Sequence, residues 1–90
     1  MADTIYGISQ SMQGEYKVRK ATALVLKTMR KERGLRQWQM AQAAGIFQQS
    51  YVKYERGLHT PSLHLIFGFA KALGCEPWEI VRRIENVEFK

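Results

Sequence analysis

The stretch Gln37 to Gly57, QWQMAQAAGIFQQSYVKYERG, constrains the fold more than any other part of this chain. Glycine adopts the left-handed conformation of a helix C-terminus without strain, so Gly45 and Gly57 read as helix stops. The spacing predicts a short helix over Gln37 to Ala44 and another from Gln48 to about Arg56, joined by one tight turn at Gly45. Small Ala41 and Ala44 stand where two such helices cross, and Met40, Ile46, Tyr51 and Tyr54 are the side chains facing inward. The second helix then presents Gln48, Gln49, Val52 and Lys53 outward, with Ser50 pointing more sideways.

The rest of the composition narrows what that face can do. Ninety residues suit one domain, and with 46% of them hydrophobic the chain can bury a core without disulfide staples. The single cysteine, Cys75, cannot pair internally and reads as a small buried hydrophobe, while His59 and His64 have no metal-ligand partners at useful spacing. No nucleophile–base pairing, metal cluster or glycine-rich phosphate loop is present in the sequence, so no enzyme activity, cofactor or metal is expected. Neither a signal-peptide pattern nor an apolar run of membrane-spanning length is seen, and a cytoplasmic location is expected.

The net charge of +6 favours polyanionic partners, and its distribution says more than its size. Lys17, Arg19, Lys20, Lys27, Arg30, Lys31, Arg33 and Arg36 crowd into the segment just before Gln37, against the one acid Glu32. A basic helix face in isolation is more often merely solvated. Beside a helix of outward glutamines, double-stranded DNA becomes the partner of choice. A glutamine can offer acceptor and donor together to adenine, Val52 can touch a thymine methyl, and Lys53 can reach guanine or phosphate. The plain alternative is an amphipathic helix whose polar face meets only water.

Residues 1–14 contain Gly7, Gly14 and several Ser and Gln, with no helical stripe. They are expected as a flexible N-terminal arm, either disordered or docking Ile5, Tyr6 and Ile8 on the body or on a partner subunit. The domain itself is expected over 15–84, with 85–90 as a C-terminal tail. Its first helix is predicted from about Glu15 to Arg33, burying Val18, Thr22, Val25, Leu26 and Met29 and turning Lys20, Lys27 and Lys31 outward. A fourth helix, about Ser62 to Leu73, centres its core stripe on Ile66, Phe69, Ala70 and Leu73, with Leu63, Leu65 and Phe67 flanking. Only His64, Gly68, Lys71 and Ala72 fall on its other side. An apolar arc of roughly 200° exceeds what one core contact needs, and the surplus can meet a tail or another subunit. Pro77 opens a fifth helix, with Glu76 as its cap and Ile80, Val81, Ile84 and Val87 as its stripe. The ending ENVEFK either extends that helix or forms a short edge strand.

The segment Leu26 to Val81 resembles the helix-turn-helix domains of phage repressors and Cro proteins. The resemblance rests on Leu26, Met29 and Arg30; Gly34 and Leu35; Gln37; Met40 and Ala41; Gly45 and Ile46; Tyr51 and Tyr54; Glu55-Arg56-Gly57; Pro61-Ser62-Leu63; and Ala70 to Gly74, all in matching order and spacing. It implies an all-α, compact five-helix domain whose third helix enters the major groove while the second crosses the backbone. By the same resemblance Gln48 and Gln49 stand where the family reads bases, with Lys53 one turn further along. Gln37 stands at a phosphate contact, and Arg56-Gly57 leads into a loop that lies along the DNA. Lys27, Arg30, Lys31, Arg36 and Ser50 complete the expected backbone set.

The implied function is a sequence-specific transcriptional regulator, a repressor acting as a homodimer on an imperfect palindrome with half-sites about one DNA turn apart. The alternative is an antitoxin-type or adaptor module that binds a protein partner such as a toxin, and can also bind its own promoter. Two departures from the family stand out. Arg36 and Phe47 occupy positions that usually hold a Ser or Thr N-cap, a loss worth about 1 kcal/mol each. Arg36 can contact phosphate instead, and Phe47 is either buried or lies against the sugar-phosphate edge. Trp38 sits at an ordinarily polar position, either partly buried against the first helix or touching DNA or a partner.

Overall fold

The structure, a computed structural model, describes the backbone of residues 2–88 and the side chains of residues 14–88. The described residues form five helices and no strand: α1 (Ala2–Glu32), α2 (Gln37–Ala44), α3 (Gln48–Glu55), α4 (Leu63–Leu73) and α5 (Pro77–Glu85). This is the all-α, five-helix architecture expected. None of these helices is long and apolar enough to cross a membrane.

Helix α1 begins at Ala2, well before the expected start near Glu15, so the segment read as an arm enters the chain as helix. The missing apolar stripe removes a packing reason for helix there. It does not forbid one, since no proline interrupts the ladder that grows back from the packed half. The docking of Ile5, Tyr6 and Ile8 lies outside the described side chains. At the far end, residues 86–88 neither continue α5 nor form a strand. Helix α5 stops at Glu85, Asn86 caps it, and Val87 turns back against the core with its amide donating to the Ile84 carbonyl at 3.2 Å. Phe89 and Lys90 lie outside the described residues.

One core joins all five helices. Leu26 and Met29 of α1, Met40 of α2, Tyr51 of α3, Phe69 of α4 and Ile80 of α5 are essentially solvent-free. The Tyr51 and Phe69 rings meet edge to face, centroids 5.2 Å apart at 79°, a geometry that places ring hydrogens against a π face. The α1 stripe is displaced from expectation. Thr22, Val25, Leu26 and Met29 are buried together with Ala21 and Ala23, but Val18 is exposed because it borders an open groove. Along α4 the central stripe is buried as read, and Leu65 joins it, whereas Leu63 and Phe67 remain exposed.

Gly68 lies on the wrong side of the sequence reading and explains how the layers fit. Expected on the outer face of α4, it marks instead a close approach between helices. A Cβ built there comes within 2.6 Å of Ala44 Cα and 3.2 Å of the Ala43 carbonyl oxygen. The hydrogen atom at this position lets α4 lie directly on the end of α2. Periodicity reported that Gly68 is not hydrophobic; it could not report that the absence of a side chain was itself the packing feature.

Candidate nucleic-acid interface

The turn that joins α2 to α3 is built on Gly45, whose φ of 71° lies in the left-handed region. Its amide donates to the Gln42 carbonyl at 3.1 Å and the Ile46 amide to the Ala41 carbonyl at 3.0 Å. These bonds satisfy the last carbonyls of α2 and reverse the chain within a few residues. Ile46 then packs against the core and fixes where α3 begins.

A buried carboxylate sets the angle between the two helices. The Glu55 side chain, 2% exposed, accepts from Arg30 Nε at 2.6 Å and Arg30 Nη2 at 3.1 Å. It also accepts from Gln37 Nε2 at 3.1 Å and the Tyr51 hydroxyl at 2.5 Å. Arg30 Nη1 donates onward to the Leu35 carbonyl at 3.0 Å. One carboxylate thus ties the last turns of α1 and the first residue of α2 to the end of α3. Burial alone pushes its carboxyl up, but the donors from Arg30, Tyr51 and Gln37 outweigh that and hold it below the usual carboxylate range. Burial and the neighbouring carboxylate push the Tyr51 phenol far above its ordinary value, so it stays a donor.

The hub takes in Arg30, one of the residues expected at the DNA backbone. Its guanidinium is bonded to Glu55 and the Leu35 carbonyl inside the fold, where it braces the scaffold. Gln37 spends one amide hydrogen on Glu55 and is half-buried. A signal for the hub was present in the sequence: Tyr51 and Glu55 are spaced i, i+4, so an acid shared the face of a core tyrosine. The spacing alone does not identify Arg30 as the basic partner of that acid.

With Tyr51 and Glu55 turned inward, Gln48, Gln49 and Lys53 of α3 and Arg56 just after it remain exposed, and Val52 is half-buried. Ser50 is half-buried. Lys27 and Lys31 on α1 and Arg36 at the start of α2 are exposed as well. The ion pairs among the described residues engage Arg19, Arg30, Arg33 and Arg83. Lys27, Lys31, Arg36, Lys53 and Arg56 take part in none of them.

The two unusual caps differ. At α2, the Gln39 side-chain oxygen accepts from the Arg36 amide at 2.7 Å, which is the returning half of a capping box, and the Arg36 side chain is left free. At α3, Phe47 has extended backbone, no side-chain cap bond and a phenyl ring 78% exposed. Trp38, on the first turn of α2, is 52% exposed.

Two comparisons bear on this arrangement. Residues 26–80 match the family model described as helix-turn-helix, which spans α2, the Gly45 turn and α3 and reaches into α5. A helix-turn-helix-type transcriptional regulator of Methanothermobacter thermautotrophicus, itself uncharacterized, is 38% identical over 52 residues. That alignment covers 58% of this chain and 75% of the relative.

Proposed function

We propose that this chain, which belongs to the helix-turn-helix family of DNA-binding transcription regulators, is a repressor that reads its operator in the major groove with α3 as a homodimer. The observation that carries the reading is the outward face of α3 itself. Gln48, Gln49 and Lys53 are exposed and Val52 is half-buried on the helix that the Glu55 hub anchors, and Lys27, Lys31, Arg36 and Arg56 are exposed and take part in no ion pair among the described residues. Gln48 and Gln49 contact adenine edges, Val52 a thymine methyl, and Lys53 a guanine or a phosphate. Lys27, Lys31, Arg36 and Arg56 neutralise the DNA backbone, with Gln37 and Ser50 adding neutral contacts.

The homodimer is supported by a second surface. Leu63, Phe67, Trp78 and Val81 are all exposed on α4 and α5. Leu63 and Val81 also line an open groove of about 580 Å³ with Val18, Ala21, Ile66 and Val87. Exposed apolar surface of this kind marks an interaction site, and a two-fold pair meeting there doubles the length of DNA read.

Selecting bound fragments from genomic DNA and ranking them by competition tests the reading. The expected product is an imperfect palindrome with half-sites about one turn apart. Gln48→Ala with Gln49→Ala should erode preference among sequences while non-specific binding persists. Equal discrimination by the double variant and the wild type would sink base reading by these side chains. Sedimentation of the protein on its operator reads the stoichiometry, and one subunit per palindrome would refute the dimer.

A further inference from the structure

Phe47 carries the most exposed large hydrophobic side chain of the described residues, at 78%. It is the N-cap of α3, where its carbonyl accepts from the Ser50 amide at 3.0 Å and the Tyr51 amide at 3.2 Å. Its ring, however, can accept nothing from the free amides of the first turn. A serine there would bond one of them and expose no phenyl surface. The ring is not part of the core cluster, and it does not line the apolar groove between α1, α4 and α5. Folding therefore gains little from phenylalanine at this position, and unlike Arg36 at α2 it has no returning bond to offset the missing cap.

The ring is therefore free to meet a partner outside the fold. Phe47 directly precedes Gln48 and Gln49, at the end of α3 that reaches base edges first if α3 docks in the groove. A phenyl ring has no donor or acceptor and cannot read a hydrogen-bonding pattern. The one base feature in the major groove that it can recognise by contact is the apolar one, the C5-methyl of thymine. We infer that Phe47 is a specificity-determining residue that selects a thymine beside the bases read by Gln48 and Gln49, and that it has displaced an N-cap to do so. The inference rests on the DNA reading proposed above and adds to it a base identity and the atom recognised.

The test uses the full chain and an operator recovered by genomic selection, in which each thymine is replaced in turn by deoxyuridine. That change removes only the methyl group and keeps base pairing. For the wild type, one position per half-site should lose affinity by about fourfold, the value of one buried methyl, and by about fifteenfold when both half-sites carry the change. Phe47→Ser should bind the intact operator more weakly and be indifferent to deoxyuridine at that position. Because serine restores a cap, Phe47→Ser should melt no lower than the wild type, which separates a lost contact from a lost fold. The inference is overturned if Phe47→Ser shows the wild-type deoxyuridine profile at every position, as a contact to sugar or phosphate would give. A wild type that binds no fragment selectively overturns the DNA reading itself, and this inference with it.

Discussion

Replacing Glu55 with alanine tests the hub on which the orientation of α3 depends. The carboxylate is almost solvent-free and accepts from Arg30, Gln37 and Tyr51. Its removal leaves the Arg30 guanidinium, 12% exposed, without its counter-charge and the buried Tyr51 hydroxyl without an acceptor. Breaking a buried ion pair from one side costs about 3–5 kcal/mol, and the stranded hydroxyl adds about 1–3 kcal/mol. Arg30 keeps its bond to the Leu35 carbonyl and can draw in water, which returns part of that loss. A net cost of about 4 kcal/mol is expected, a large share of the 5–15 kcal/mol that holds a domain together, and a melting point lowered by roughly 20 °C. Urea unfolding followed by circular dichroism reads it directly. A second variant, Arg30→Met with Glu55→Leu, removes both charges and should recover more than half of the deficit, since an apolar pair strands no charge. If Glu55→Ala costs under 1 kcal/mol, or the paired variant is less stable than the single one, the hub does not hold the fold as described. The pH dependence follows with a definite sign. A carboxyl held below its ordinary value contributes stability that is complete above about pH 4.5 and is lost as the pH falls toward the folded-state value. Wild-type stability should fall with acidification in that window, and the slope should flatten in Glu55→Gln.

Gly68→Ala gains up to about 1 kcal/mol of helix propensity but drives a methyl into Ala44 backbone at 2.6 Å, and overpacking costs about 1–3 kcal/mol. Since backbone cannot swing aside as a side chain can, net destabilisation is expected in urea unfolding; a more stable Gly68→Ala refutes the close approach. Gln39→Ala removes the bond to the Arg36 amide and should cost about 0.5–1 kcal/mol, measured the same way, without changing operator preference. For binding, Lys27, Lys31, Arg36 and Arg56 on two subunits give a slope of log affinity against log salt of about −7. Lys31→Ala should make that slope shallower by about two per dimer, whereas an unchanged slope removes Lys31 from the backbone set.

The fold was legible in the sequence where a residue type has one structural use. Gly45 stops α2 and Gly74 stops α4, each with positive φ, and Pro77 opens α5 as read. The exposure of Gln49 and Lys53 was also legible, because Tyr51 and Tyr54 fixed the inward side of α3. What escaped had two uses with the same local signature. An arginine at the end of a basic helix looks alike whether it meets phosphate or a buried acid, and only the position of Glu55 in three dimensions decides for Arg30. A glycine outside an apolar stripe looks like a surface residue until α2 is laid against it. The start of α1 escaped for a third reason, since hydrophobic periodicity reports packing and a helix can continue past the last neighbour it packs on.

The same reasoning separates the two missing caps, which in sequence are one anomaly seen twice. Both helices of the central motif begin on a residue that cannot cap them with its side chain. At α2 the defect is met locally: Gln39 returns a bond to the Arg36 amide, and the freed side chain is a cation on the basic side. The fold accounts for Arg36 as far as its backbone is concerned. At α3 nothing returns, and the residue that caused the loss stands exposed with an apolar ring. Where a local rule is broken and compensated nearby, stability explains the residue; where it is broken without compensation, the explanation shifts to function. Phe47 belongs to the second kind, and that is why a gain in thermal stability on Phe47→Ser, with a loss in thymine selection, is the outcome that links the two.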